Sequence, residues 1–309
     1  MNKSIVLYAD GSVERGFGHL YRLHNIWSKF FKGKDYKFLY RNVVQKEFYI
    51  KMGVVHERFS QAETKINSFT LIVDTKEGDI KFLNDIIHKS KNSIILDSYN
   101  VWIKEFDTCV IPSFYYDQDL ISSMEKNVRV LAGKKYTVLR KNSQRLNINN
   151  IDILVSFGGS DPNDITSRIL FYLDKLALKC NVSVIIGPGF KKSLDDFKKD
   201  YPRYSYIQAP GNTYQYVQKS KVIITALGTT VQEIEYLHKK GVICFNYQDD
   251  QKDFNLIKSF SANRQRWLSL GHFTNLDFKN FNSFLRNKPG DEAHTNNLWG
   301  EEWKEISSE

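Results

Sequence analysis

Short apolar runs recur along this chain, and amphipathic stretches at helical spacing fall between them. The first run, 4–9 (SIVLYA), carries no polar alternation and stops at Asp10. A run of that length without alternation is the pattern of a strand buried on both faces. Residues 19–31 then place Leu20, Leu23, Ile26, Trp27 and Phe30 on one helical face. Strand-like runs follow at 37–40, 71–74, 94–97 and 108–111, with helical stretches between several of them. The alternation weakens over 128–132 and 136–139. Residues 140–150 (RKNSQRLNINN) are polar and rich in Asn and Ser, the best linker in the chain.

Beyond the linker the pattern restarts. Runs at 153–156, 182–186, 205–208, 222–225 and 242–245 are strand-like, and 164–176, 192–199, 214–219 and 229–239 are helical. Strands alternating with helices predict parallel α/β sheets, here twice over. Ligands are then expected between the halves, at the carboxyl ends of the strands. The 309 residues agree with two domains at roughly 150 residues each. The expected division is 1–145 and 146–309, with 287–309 a terminal helix or tail. Trp299 and Trp303 favour a helix packed back on the body, because exposing two tryptophans is costly.

Composition narrows the class. Hydrophobic residues at 41% and aromatics at 14% fill ordinary cores, which excludes a disordered chain. Cys109, Cys180 and Cys244 are isolated, with no CxxC pair or His at ligand spacing, so neither a disulfide framework nor a metal is called for. That usage fits a reducing cytosol. No apolar run approaches the ~20 residues of a spanning helix, and the start MNKSIVLYAD turns polar too soon for a signal peptide, so a cytoplasmic protein is expected. The net charge of +9 comes from scattered Lys and Arg rather than a stripe, which argues against nucleic acid. It suits attraction to a smaller anion such as a nucleoside diphosphate, or a peripheral contact with an anionic membrane face.

Three loops carry the candidate chemistry. The first runs from Asp10 to His19 and contains Gly16 and Gly18, where backbone can approach a ligand and helix-start amides attract an anion. It matches neither GxGxxG nor GxxxxGK[ST], which removes the usual support for nicotinamide and ATP-hydrolysing readings. His19 stands where a catalytic base would face a ligand; a histidine that caps the helix or bonds locally meets the same spacing. The second loop, Ser156-Phe-Gly158-Gly159-Ser160-Asp-Pro, either cradles phosphate or is a strand-to-helix turn capped by Asn163 or Asp164. In the third, Leu227, Gly228, Thr229 and Thr230 lead into a helix whose dipole contributes about 0.3–1 kcal/mol per exposed charge. Glu233, one turn inside, is within reach of ribose hydroxyls or is a solvated helix carboxylate. The other histidines lack partner spacing, and no Gly-x-Ser-x-Gly elbow indicates a serine hydrolase.

The ordered set Asp10 to His19, Asp97-Ser98-Tyr99, VSFGGSDPND at 155–164, Ile186-Gly187-Pro188 and ALGTTVQE at 226–233 resembles the UDP-sugar hydrolases of the pseudaminic acid pathway and related spore-coat polysaccharide proteins. More distantly the chain is similar to the N-acetylglucosaminyltransferase that forms lipid II, which has the two-domain GT-B fold of Rossmann-like domains. The resemblance covers residues 10 to about 255. It implies metal-independent and cofactor-free attack of water on a UDP-linked diacetamido-trideoxy sugar, with His19 as base and Tyr99 contacting the sugar or assisting. On spacing alone Tyr99 is a half-buried aromatic after a strand. Substrate and nucleotide contacts are implied at Asp10, Gly16, Gly18, Gly158, Gly159, Ser160, Gly187, Leu227, Gly228, Thr229, Thr230, Glu233, Asp250, Gln251 and Asn255. Neutral imidazole suits a base at cellular pH, and helix-start amides suit a departing phosphate. The chain departs from the hydrolases where Asp250 replaces the Asn of an Asn-Gln pair, and an anionic Asp250 would repel a diphosphate unless protonated or turned away. Gln251 and Asn255 follow the transferase spacing, so glycosyl transfer to a glycan or polyprenyl-linked acceptor is the alternative. A catalytically silent binding protein on the same fold is the third reading.

Overall fold

A computed structural model describes residues 4–11, 17–62, 69–75, 80–97, 101–139, 149–210, 213–287 and 299–308. The chain divides into two compact units, one of residues 1–138 with 297–309 and the other of 139–296. The expected linker at 140–150 falls at this division, and its residues 140–148 lie outside the described residues.

The first unit holds a seven-stranded, wholly parallel sheet in the order β3-β2-β1-β4-β5-β6-β7. Its strands are β1 (Ser4–Ala9), β2 (Tyr36–Tyr40), β3 (His56–Arg58), β4 (Phe69–Asp74), β5 (Asn92–Leu96), β6 (Thr108–Ile111) and β7 (Arg129–Ala132). Successive side chains of a strand point to opposite faces. Along β1, Val6 and Tyr8 join one apolar cluster while Ile5, Leu7 and Ala9 join the other. Both faces are therefore covered, which is why the run has no polar alternation. The helix Gly18–Ile26 buries Leu20, Leu23 and Ile26, then widens into a π-helical turn, Trp27–Phe31. A side chain at Gly11 would overlap Leu20, so glycine there lets this helix lie close to the strand end. Gln45 is fully buried and donates to Ala9 O at 2.8 Å, anchoring the helix Val43–Met52 to β1.

The second unit holds six parallel strands in the order β10-β9-β8-β11-β12-β13. They are β8 (Ile151–Ser156), β9 (Val182–Ile186), β10 (Ser205–Gln208), β11 (Ser220–Thr225), β12 (Lys240–Phe245) and β13 (Trp267–His272). The core runs from Ile153 and Val155 through Ile169 and Leu173 to Phe281. In each sheet the chain reverses direction across the first strand, between β1 and β4 and between β8 and β11. Such switch points open a crevice at the strand carboxyl ends.

The terminal segment departs from the expected division. Trp303 is fully buried in the first unit's core, and its indole N–H donates to Tyr136 O at 2.6 Å. Lys29 pairs with Glu301 in the same unit. The helix Trp303–Ser308 thus packs back on a body, as the tryptophans suggested, but on the first unit rather than on the half that precedes it. Among the described residues no helix is long and apolar enough to cross a membrane.

Candidate active site

Three strands of the first sheet end in aspartate or lead directly into one. Asp10 follows β1, Asp74 closes β4 and Asp97 follows β5, and these strands are neighbours in the sheet. Asp10 is itself buried, and its backbone N–H donates to Asp74 O at 2.8 Å across the switch point. His19 and Arg22 lie one turn apart on the Gly18–Ile26 helix, so both side chains reach this edge.

The contacts are short and shared. His19 Nδ1 lies 2.6 Å from Asp74 Oδ1. Arg22 forks onto the same carboxylate, with Nε to Oδ2 at 2.7 Å and Nη2 to Oδ1 at 2.7 Å. Its remaining nitrogen, Nη1, donates to Asp97 Oδ2 at 2.8 Å. Asp74 has no exposed side-chain surface, whereas His19 keeps 19% of its side chain accessible. Burial alone would push the Asp74 pKa up; the charges of Arg22 and His19 and their hydrogen bonds outweigh it and hold the carboxyl well below the usual carboxylate range. For Arg22 burial works against the charge, and Asp74 and Asp97 more than restore it, so the guanidinium is a permanent cation.

These charges settle the histidine tautomer. An ionised carboxylate only accepts, so the hydrogen between His19 and Asp74 sits on Nδ1. Arg22 Nη2 approaches the same ring nitrogen at 3.3 Å, but it too is a donor and makes no bond there. Nε2 is left as the basic nitrogen of the ring. His19 does not cap its helix: Phe17 is the N-cap residue, without a side-chain cap bond. Asp97 adopts a left-handed backbone, φ +51°, costly for a residue with a Cβ.

The second unit builds its strand-end loops mainly from backbone. Gly158 adopts φ +79°, a glycine conformation, and sits exposed after β8. A Cβ at Gly187, after β9, would lie 2.5 Å from Gly159 O and 2.7 Å from Gly159 C. Gly189 N–H donates to Gly159 O at 2.8 Å, so the two loops are knitted together. Asp161, not Asn163 or Asp164, caps the helix Ile165–Lys175: its two oxygens accept from Ile165 N at 2.9 Å and Thr166 N at 2.7 Å. Asn163 instead donates to Asn246 Oδ1 at 3.0 Å, tying the loop after β8 to the loop after β12. Ser160 is half-buried.

The helix Thr229–Tyr236 is different. Gly228 is its N-cap and supplies no side-chain bond, and Gly228 and Thr229 are exposed beside a half-buried Leu227 and Thr230. The first helix of β8 is closed by its own carboxylate; the helix after β11 presents amides and two hydroxyls. Glu233 is only 8% exposed, so it is not a solvated helix carboxylate. Burial, then the neighbouring charges of Tyr236 and Glu233, pushes the Tyr214 phenol up to about 12.

Asp250 is turned toward its own loop. Its Oδ2 accepts from Asn246 N at 2.8 Å and Tyr247 N at 3.1 Å. Gln251 Nε2 donates to Asn255 Oδ1 at 3.1 Å on an exposed helix face. Gly18 opens the first unit's helix and is exposed. Gly16, Ser98 and Tyr99 lie outside the described residues. The sequence expectations omitted Arg22 and gave Asp74 no role beyond ending a strand. Their signals are a cation one turn after His19 and an aspartate closing an otherwise apolar strand.

No protein-family model matches the chain. A relative from Methanocaldococcus jannaschii, the uncharacterized protein MJ1062, is 24% identical over 302 residues, which is 87% of this chain; the chain spans 61% of that relative's length. Among solved structures, the UDP-GlcNAc 2-epimerase of M. jannaschii in complex with UDP-GlcNAc and UDP superposes with a TM-score of 0.61 at 13% identity, covering 100% of this chain and 99% of the other. MnaA of S. aureus with UDP gives 0.61 at 10% identity, covering 98% and 91%. MurG of Acinetobacter baumannii gives 0.55 at 10%, covering 99% and 95%. Two wholly parallel α/β sheets of seven and six strands, matched over nearly the full chain by these structures, are the GT-B fold.

Proposed function

We propose that this protein cleaves a UDP-linked amino sugar by attack of water at the anomeric carbon, releasing UDP and the free sugar. The observation that carries the reading is the buried Asp74 carboxylate at 2.6 Å from His19 Nδ1, which leaves Nε2 as a base. In the step proposed, water oxygen bonds to the anomeric carbon and its proton passes to His19 Nε2. The anomeric C–O bond breaks, and its electron pair stays on the β-phosphate oxygen of UDP. The imidazolium then returns its proton to solvent. UDP is a good leaving group without a strong acid, and a positioned base contributes about 10²–10⁴-fold.

The amides and hydroxyls of Gly228, Thr229 and Thr230 are proposed to hold the diphosphate, with Glu233 on the ribose and Leu227 lining the turn. An uncapped helix start accepts such charge without reorganisation. The UDP-bound neighbours of the same fold support a UDP-sugar as the substrate class. The resemblance of the ordered loops supports a diacetamido-trideoxy sugar destined for a surface glycan. Tyr99 is proposed to contact that sugar.

Glycosyl transfer is the second reading, favoured by the Gln251–Asn255 pair, which follows the transferase spacing and is joined in space. The same base would then deprotonate an acceptor hydroxyl. Incubation with a panel of UDP-sugars, including UDP-diacetamido-trideoxy sugars, separates the two by mass spectrometry. Hydrolysis predicts UDP and free sugar without any acceptor, the sugar keeping its configuration away from the anomeric carbon. UDP that appears only when a glycan or polyprenyl-linked acceptor is added would overturn hydrolysis in favour of transfer.

A further inference from the structure

Arg22 spends all three of its guanidinium nitrogens inside one charged cluster: two on Asp74 and one on Asp97. It also comes within 3.3 Å of His19 Nδ1 without a bond to it. A cation in that place has two effects on the imidazole. It competes with His19 for Asp74 Oδ1, where the two contacts are 2.7 and 2.6 Å. It also repels a second positive charge on the ring.

A carboxylate that served His19 alone would orient the ring and, by the same attraction, favour the imidazolium. An imidazolium has no lone pair with which to take a proton from water. Among the described residues, Asp74 from β4 bonds the His19 ring, Arg22 from its own helix lies beside it, and Asp97 beyond β5 pairs with Arg22, while Asp10 stands at the end of the neighbouring strand β1. Two carboxylates grip one fixed cation, so without that cation their charge would favour a proton on the ring.

We propose that Arg22 is a positioning residue of this centre: it balances the charge of Asp74, so that His19 takes its orientation from the carboxylate while remaining a neutral base, and Asp97, paired to the third guanidinium nitrogen, sets how much of that positive charge the ring feels. The inference rests on the proposed role of His19 as general base. It concerns the ring's protonation and tautomer, which are measurable without any substrate. The fork also explains why arginine stands here, since a lysine ammonium cannot span both oxygens of Asp74 and reach Asp97 from one fixed plane.

The test is a titration of the His19 ring by nitrogen-resolved NMR in the full chain, with His19→Asn identifying the resonance. In the parent protein the neutral ring is expected as the Nδ1–H tautomer. In Arg22→Gln the imidazolium persists to higher pH. In Asp97→Asn it is lost at lower pH than in the parent, an opposite displacement that loosened packing alone would not produce. Arg22→Lys keeps the charge and restores the parent titration while blurring the tautomer preference. With whichever UDP-sugar the parent turns over, Arg22→Gln lowers kcat about tenfold at neutral pH and recovers as pH rises, since a neighbouring charge moves such a group by a unit or more. KM changes little.

An Arg22→Gln protein that is folded, by its thermal transition, and titrates its His19 ring as the parent does overturns the proposal. If Arg22→Gln does not fold, Arg22→Lys and Asp97→Asn decide it by the same readout: an unmoved ring in Asp97→Asn together with an unchanged tautomer in Arg22→Lys overturns it. Absence of turnover in the parent, with the ring displaced as described, would instead overturn the UDP-sugar reading and leave the role of Arg22 standing.

Discussion

The two units share an order of strands and a switch point, yet they finish their carboxyl edges in opposite ways. In the first unit the edge is made by side chains: Asp74, Arg22, Asp97 and His19 form one charged cluster around a fully buried carboxylate. In the second it is made mostly by backbone: Gly158, Gly159 and Gly187 pack main chain against main chain, and Gly228 opens a helix start. A side-chain edge can position a proton, because ring nitrogens and carboxylates titrate. A backbone edge can receive an anion without titrating, because amides carry a fixed partial charge. The first should be sensitive to changes of charge at constant volume, and the second to changes of volume at constant charge.

The sharpest break on the first side is His19→Asn. It is expected to lower kcat by about 10²–10⁴-fold while calorimetric UDP affinity stays as in the parent. Loss of UDP binding along with turnover would place the ring in nucleotide recognition. Asp74→Asn comes next. It leaves Arg22 buried beside a neutral amide, and breaking a buried pair in this way costs roughly 3–5 kcal/mol, read by urea unfolding at neutral pH.

Acid should separate the two units further. The Asp74 pKa is depressed in the fold, so its contribution is present above the ordinary aspartate value of ~3.9 and is lost as pH falls below it. Asp161 has the opposite sign. Burial pushes its pKa up despite the bonds from Ile165 and Thr166, so the fold keeps a proton that the unfolded chain has released. Stability then falls as pH rises through the window just above ~3.9. Urea titrations on both sides of ~3.9 should lose the rising component below it in Asp74→Asn and the falling component above it in Asp161→Asn.

On the second side the largest effect is expected from Gly187→Ala. The added methyl would overlap the Gly159 carbonyl, and an overlap against main chain cannot be relieved by a rotamer change. A cost of about 1–3 kcal/mol is expected, with weaker UDP binding because the loop after β8 is displaced. A protein of unchanged stability would show that the knitted loops are free to part.

Most of the fold was legible because both sheets are parallel and buried on two faces. Such strands are written as uninterrupted apolar runs, and β1, β6 and β9 fall where those runs were expected. The strands that escaped notice are at the edges. His56–Arg58 is three residues long with a polar composition, and Trp267–His272 mixes half-buried and buried positions, so neither carries a clean apolar run. The candidate site was only half legible. His19 and the glycine loops announce themselves by residue type near a strand end. The partners of His19 do not: Asp74 is 55 residues away and Asp97 is 75 residues from Arg22, contacts made by strand order rather than local spacing. The residue pattern offers Asn163 or Asp164 as the cap of the Ile165–Lys175 helix. The chain makes an extra turn before that helix, so the carboxylate that reaches its amides comes from Asp161.

The smallest effect is expected at Asp250, the position that set this chain apart from the hydrolases it resembles. A carboxylate beside a diphosphate should weaken binding severalfold or more if it faced the phosphates. Here one of its oxygens is occupied by two amides of its own loop, those of Asn246 and Tyr247. Bonds of that kind satisfy the charge locally and fix the carboxylate's direction. Asn is nearly the same size, and its side-chain oxygen can accept from the same two amides. Asp250→Asn is therefore expected to alter stability by about 0.5 kcal/mol or less and UDP affinity by less than threefold, roughly 0.6 kcal/mol on the scale where tenfold is 1.4. A tenfold gain in UDP affinity, measured by calorimetry, would mean that the carboxylate acts on the phosphates after all. The backbone edge of the second unit would then owe part of its anion preference to a side-chain charge, and the contrast with the first unit would be one of degree.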